Sequence, residues 1–202
     1  IRLMTDELKK LEMIPQVLIN NAGVFEHDRV MLEGGMERTF MVNHLAPHYL
    51  TRLLLPEMFR LKTPRIVNVS SMAQTGTVDF DNLMGTKKYD GYEAYALSKL
   101  ANVLFTYKLH RLYASKGLFT CCLHPGVIQT KLLKAGWGMG GATTEVGARR
   151  LVFAAFSADH DMEGTYLINN QPARSAAISY DKRIQDRLWD ISSRLCGLPT
   201  TE

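Results

Sequence analysis

Apolar positions along the chain follow two rhythms. A short unbroken apolar run occurs at Val17-Leu18-Ile19, and mainly apolar strand-like stretches at Arg65-Ile66-Val67-Asn68-Val69, Leu118 to Leu123 and Thr165-Tyr166-Leu167-Ile168. None alternates between apolar and polar positions, as a strand with one wet face would. They fit strands covered on both faces, as in a parallel sheet between helices. The stretches between them carry apolar residues at helical spacing. Arg2 to Met13 has Leu3, Leu8 and Leu11 roughly on one stripe and is closed by Pro15. A longer pattern from Met36 to about Leu61 carries Phe40, Leu45, Leu50 and Leu54. A third begins around Tyr95 and runs to about Ser115, with Gly117 as its stop. Two more are predicted from Thr143 to Ser157 and from Asp181 to Leu195, the last with Ile184, Leu188, Ile191 and Leu195 on one face. Strands alternating with helices predict an α/β fold with a doubly wound parallel sheet. Ligands of such sheets sit beyond the carboxyl ends of the strands. Three polar or glycine-containing turns fall there: Asn20-Asn21-Ala22-Gly23, Ser70-Ser71 and His124-Pro125-Gly126.

Composition narrows the class. The 202 residues are 46% apolar and 22% charged, enough for one globular domain with a sizeable core. The net charge of +4 is mild and spread along the chain. Lys87-Lys88 and Arg149-Arg150 are short pairs without aromatic neighbours between them, which reads as solvated surface and argues against a nucleic-acid partner. The three cysteines include an adjacent pair, Cys121 and Cys122, inside an apolar run. That pattern predicts buried reduced thiols and a cytoplasmic, reducing location. None of the six histidines has metal-site spacing with a second ligand, so no metal is expected. No apolar run approaches the ~20 residues of a membrane span, and no signal peptide opens the chain. Ile1 is not a natural start residue, so an upstream segment is expected, and a membrane anchor only within it. Gly138-x-Gly140-Gly141 does not follow a strand and is not a dinucleotide fingerprint. It is expected to be the hinge of a substrate lid.

The candidate chemistry centres on Tyr95 and Lys99. Residues four apart on a helix share a face, so the phenol and the ammonium point into the same space. A free tyrosine titrates near ~10, and a nearby cation favours the phenolate and lowers that value. A phenol moved toward neutrality is a usable general acid–base. Alone, such a pair is also what an ordinary amphipathic helix offers. Asn43 alone reads as a helix-surface residue, and Ser71 alone as a turn former.

Taken together, the order of these residues resembles the short-chain dehydrogenase/reductase family. Val17 to Gly23 resembles its fourth strand and Asn-Asn-Ala-Gly turn. Met41-Val42-Asn43-His44 resembles the helix with its catalytic asparagine. Ile66 to Ser71 resembles the strand ending in its catalytic serine, and Tyr95 to Lys99 its Tyr-x-x-x-Lys pair. His124 to Thr130 resembles the loop beside the nicotinamide. Ser98 to Thr106, the long loop between Ser71 and Tyr95, and Leu188-Trp189 look most like the retinol-dehydrogenase-like branch.

The resemblance implies a Rossmann-like fold, of which the chain holds the C-terminal two-thirds, and catalytic roles for Asn43, Ser71, Tyr95 and Lys99. Tyr95 would exchange a proton with the substrate oxygen, Lys99 would lower its pKa and hold the ribose, Ser71 would hydrogen-bond the carbonyl, and Asn43 would hold a water linked to Lys99. Cofactor contacts would come from Asn20, Asn21, Ala22, Gly23, Tyr95, Lys99, Pro125, Gly126, Val127 and Thr130. The cofactor would be NAD or NADP, supplying the hydride chemistry. The substrate would be a small, hydrophobic alcohol or carbonyl compound, lined by Leu132 to Trp137 and by the apolar face of the final helix. A homo-oligomer would form through the helices near Asn43 and Tyr95. The family's glycine-rich phosphate loop has no counterpart here, so residues 1–202 are expected to be one partial domain of a longer polypeptide. Two other classes remain: a non-catalytic scaffold on the same fold, and the family's extended branch of nucleotide-sugar epimerases and dehydratases. Four intact catalytic positions speak against the first, and the Asn-Asn-Ala-Gly turn and Pro-Gly loop against the second.

Overall fold

The computed structural model describes residues 1–200 and builds them on a five-stranded sheet. Strands β1 (Val17–Asn20), β2 (Arg65–Val69), β3 (Phe119–His124) and β4 (Tyr166–Ile168) pair in that order, all parallel. β5 (Gln171–Ala173) returns antiparallel on β4. The hairpin between them turns on Asn169 and Asn170, both left-handed with φ of 51° and 63°. Asparagine tolerates that region, so this Asn-Asn pair is a hairpin signal that the apolar pattern alone does not carry.

Every residue of β3 is buried, whereas Val17, Leu18 and Ile19 of β1 are only half-buried. Their unbroken apolar run predicts cover on both faces. In the structure β1 forms the margin of the sheet, with its one ladder to β2.

The crossover from β1 to β2 is one continuous helix in three parts: α2 (Arg38–Phe40), a π turn (Met41–Leu45) and α3 (Ala46–Met58). Glu37 starts it, its carboxylate accepting from the amides of Thr39 and Phe40 at 2.9 and 2.8 Å. From β2 the chain crosses to β3 through α4 (Gly91–Tyr113) and a short 3₁₀ turn, halted at Gly117 with φ of 83°. Then come α5 (Lys131–Trp137), and α6 (Thr144–Val152) with a π turn at Phe153–Ser157, before β4. On one face of the sheet lie α3 and α4, burying Leu54, Leu55, Met58, Phe105 and Leu109. On the other, Ala154, Ala155 and Ala158 pack on Val67, Cys121 and Leu123. α1 (Arg2–Lys10) ends sooner than Pro15 requires and buries only Thr5. Among the described residues no helix is long and apolar enough to cross a membrane.

The last helix, α7 (Lys182–Leu195), lies across α3 and α4. Leu188 and Trp189 are each 2% exposed in the core. Lys108 binds Asp186 at 2.7 Å, and Ser192 and Ser193 reach His44 and His48 at 2.8 and 3.2 Å. One sequence expectation changes here. The apolar face of the final helix is core, not pocket wall.

Candidate active site

The end of β2 and the first half of α4 build the site. Asp90 caps α4 by accepting from the Glu93 amide at 2.9 Å. Ser70 donates to the Lys99 carbonyl at 2.7 Å, tying the strand end to the helix. Tyr95 and Lys99 therefore face the carboxyl end of the sheet together, the Lys99 Nζ 5.5 Å from the Tyr95 ring centroid. Lys99 is 3% exposed and donates to the Val69 carbonyl at 3.2 Å. The Ser71 hydroxyl accepts from the Ala73 amide at 3.1 Å and stands where it favours the Tyr95 phenolate. The Ser71 backbone is fixed, its carbonyl accepting from the Tyr166 hydroxyl at 2.9 Å and from Gln74 Nε2 at 2.8 Å.

Burial decides the protonation of the pair. It pushes Tyr95 up to about 12, opposed by the Ser71 hydroxyl, and pulls Lys99 down to about 8. The sequence predicts a phenol lowered by the lysine. In the structure desolvation of the phenolate outweighs that attraction, and the group brought near neutrality is Lys99. His124, at the end of β3, is held down to about 4 by burial and by Arg150.

These residues open on one cleft of about 690 Å³. Ser71, Tyr95 and Lys99 line it, as do Asn21, Ala22 and Gly23 on one side and Pro125, Gly126, Val127 and Thr130 on another. Gly23 lies against the catalytic pair: a Cβ there would stand in ordinary contact, 3.4 Å from Lys99 Nζ and 3.5 Å from Asn43 Oδ1. Gly126 holds φ of 101°, and Arg150 lies so near that a Cβ would collide with its Nη1. Thr130 caps α5, its Oγ1 accepting from the Leu133 amide at 3.2 Å.

Two predicted residues stand elsewhere. Asn20 does not line the cleft; its amide donates to Asn68 Oδ1 at 2.8 Å and Thr51 Oγ1 at 3.1 Å, inside a buried ladder that continues from Asn68 to Thr106. It locks β1 to β2. Asn43 is fully buried in the π turn. Its Oδ1 accepts from the Val24 amide at 2.8 Å, and its Nδ2 donates to the Val24 carbonyl at 3.0 Å and Ser98 Oγ at 2.9 Å. Ser98 in turn donates to the Tyr95 carbonyl at 2.7 Å. Asn43 thus holds the turn after β1 against the Tyr95 helix, with one bond to its side-chain oxygen given by that turn.

The remaining wall is apolar: Met72, Tyr92, Leu132, Leu133, Trp137 and Met139. The stretch from Leu132 to Trp137, expected as a loop, is helix α5. Tyr92 is legible from its spacing, three residues before Tyr95 on the same helix. Met72 and Met139 give no signal, because side chains from distant loops meet here only through the fold. Of the glycines expected as a hinge, Gly138 ends α5 with φ of 63° and, like Gly140, has open space around it, whereas a Cβ on Gly141 would collide with the Val127 carbonyl oxygen. The neck beside it is held by Gln129 N–H to Ala142 and Ala142 N–H to Val127 carbonyls, both 2.8 Å.

Comparison with known proteins agrees with this geometry. The family described as short chain dehydrogenase matches residues 3–137. Retinol dehydrogenase 11 of Homo sapiens is 37% identical over 194 residues, covering 91% of this chain and 61% of the relative. Polyprenol dehydrogenase of Homo sapiens is 33% identical, over 94% of this chain and 63% of its own length. The chain thus spans about three fifths of the curated relatives it matches. Among solved structures, an uncharacterized protein from Mycobacterium Paratuberculosis superposes with a TM-score of 0.76 at 29% identity, over 98% of this chain and 74% of that one. The NADPH-bound carbonyl reductase from chicken fatty liver shares the fold at a TM-score of 0.62 and 20% identity, over 84% of this chain and 69% of that one. By sequence match, sheet order and the placing of Tyr95, Lys99 and Ser71, the chain belongs to the short chain dehydrogenase family.

Proposed function

We propose that the chain carries the reaction centre of an NAD(P)-dependent oxidoreductase that interconverts an alcohol and a carbonyl on a small hydrophobic molecule. One observation carries the reading: Ser71, Tyr95 and Lys99 meet on a single wall of the cleft, between a glycine-bearing edge and an apolar one. The glycine-bearing edge fits the nicotinamide half of the cofactor. Gly23 and Gly126 keep the backbone of that edge bare, Gly126 where a side chain would collide with Arg150, and the Lys99 ammonium beside Gly23 is a donor for ribose hydroxyls. Asn21, Ala22, Pro125, Val127 and Thr130 would complete the contacts. When bound, the cofactor supplies or accepts the hydride.

The chain's own residues handle the oxygen and its proton. Ser71 donates to the substrate oxygen, where negative charge develops. The Tyr95 hydroxyl gives up a proton to an alkoxide, and its phenolate takes one from an alcohol. With its pKa pushed up to about 12 by burial, Tyr95 holds its proton at neutral pH and can donate it as the acid. For the reverse direction the phenolate needs stabilisation, and Ser71 and the Lys99 cation are the groups placed to give it. The apolar wall of Leu132, Leu133, Trp137 and Met139 excludes water from the other side and favours an apolar substrate, in keeping with relatives named for retinol and polyprenol. Cys121 and Cys122, buried free thiols, support a reducing, cytoplasmic setting.

The test is NADH and NADPH binding by fluorescence, followed by turnover of apolar alcohols and aldehydes, with Tyr95→Phe as control. The reading expects binding in both proteins and a rate loss of about 10²-fold or more in Tyr95→Phe. Turnover undiminished in that variant refutes it.

A further inference from the structure

The turn after β1 continues past Gly23 into a strap, Val24 to His27, whose backbone is pinned from below. Val24 is held through both its amide and its carbonyl by Asn43. The Glu26 carbonyl accepts from the Tyr89 hydroxyl at 3.1 Å, and its carboxylate pairs with Arg38 at 3.1 Å. Gly91, at the start of α4, lies so close that a Cβ would collide with the Glu26 carbonyl oxygen and stand 3.0 Å from His27 Cα. The strap is part of the rigid body that carries Tyr95.

Upward, the strap touches the lid. His27 Nε2 lies 2.7 Å from the Ala135 carbonyl of α5, and since a carbonyl only accepts, that nitrogen carries the hydrogen. The Phe25 ring is buried between the two bodies, its centroid 5.2 Å from that of Trp137 and 5.9 Å from that of Tyr95. Gly136 rests directly on it: a Cβ there would come within 3.2 Å of the ring. Trp137 in turn lies edge-on to Tyr95 at 5.4 Å.

The two sets of contacts differ in strength. Below, the strap is tied by several backbone hydrogen bonds to buried partners. Above, α5 is tied by one exposed hydrogen bond and by ring contacts, on a loop closed at its own neck by the Val127–Ala142 and Gln129–Ala142 bonds. A loop so tied opens locally far more readily than its support. We infer that Phe25 and His27 are positioning residues that latch α5 over Tyr95, so that an apolar substrate enters by releasing the His27–Ala135 bond and lifting Gly136 off the Phe25 ring. The substrate in that statement rests on the alcohol/carbonyl reading above; the latch itself does not.

Amide hydrogen exchange read by mass spectrometry on the chain tests the latch without any ligand. His27→Ala and Phe25→Leu should each speed exchange of residues 131–137 by about 3- to 10-fold, the scale of one lost hydrogen bond or ring contact. Exchange in β3 and in the second half of α4 should not change. His27→Gln, whose side-chain amide still donates, should stay near the parent rate, which a general loss of packing would not allow. With an apolar alcohol and cofactor, His27→Ala should raise KM several-fold and change kcat less than twofold. Parent-like exchange of residues 131–137 in both His27→Ala and Phe25→Leu overturns the latch. So does a rise in exchange spread equally over β3. Lid exchange that responds as expected in a chain with no turnover supports the latch and counts against the oxidoreductase reading alone.

Discussion

Lys99 is the most destabilising residue of the site, and replacing it with methionine should make the protein more stable while removing its chemistry. Its ammonium is 3% exposed, and burial pulls its pKa from an ordinary 10.5 down to about 8. Each pKa unit corresponds to about 1.4 kcal/mol, so holding the charged form in the fold at neutral pH costs about 3 kcal/mol relative to the unfolded chain. A methionine side chain at this position would fill nearly the same volume without a charge. The hydrogen bond lost is to the Val69 carbonyl, which keeps the Asn102 amide as donor at 3.2 Å, so little offsets the gain. Lys99→Met should therefore stabilise the fold by roughly 2 kcal/mol at pH 7, after about 1 kcal/mol for that hydrogen bond. The pH dependence has a fixed sign. Between about pH 8 and pH 10.5 the folded state sheds the Lys99 proton before the unfolded state does. The unfolded state then binds more protons, and wild-type stability gains from this group as pH rises. The variant lacks that gain, so its advantage should shrink from pH 7 toward pH 10. Urea unfolding of both proteins at pH 7, 8, 9 and 10, compared as differences, isolates Lys99 from the cysteines and tyrosines that titrate in the same range. A variant less stable than wild type at pH 7, with a difference that does not change with pH, would refute the argument from burial.

Two further outcomes follow from buried polar groups near the site. His44 is held down to about 4 by burial and His48 is lowered by burial as well, so the unfolded chain takes up their protons first as pH falls below 6.5. Wild-type stability should drop by about 2 kcal/mol from His44 alone between pH 7.5 and pH 5, and urea midpoints of His44→Gln should lose correspondingly less. Asn43→Ala leaves the Val24 amide and carbonyl without their partner, which should cost about 1–3 kcal/mol in thermal or urea unfolding. An Asn43→Ala protein of unchanged stability would mean that the turn after β1 is held by something other than this side chain.

Much of this protein is decided locally and is therefore legible in its residues. The mainly apolar stretches of β2 and β3 become buried parallel strands because a strand covered by helices on both faces has no wet side to mark. Gly117 stops α4 because glycine takes the left-handed backbone without a Cβ penalty. Tyr95 and Lys99 share a face because four residues make about one turn of helix. Ser71, Pro125 and Gly126 reach the cleft because strand ends in a parallel sheet lie on one edge. Tertiary structure decided whatever depends on how much water a group loses and which distant segment meets it. The direction of the Tyr95 shift is set by desolvation, a property of everything packed around the phenol and of no neighbour in sequence. Asn20 and Asn43 carry the residue type of ligand-binding groups, yet the fold commits their amides to the Asn68 ladder and to Val24. α7 is readable as an amphipathic helix, but periodicity gives a face and not a partner. Only packing placed that face on α3 and α4 and left the apolar wall of the cleft to the lid helix.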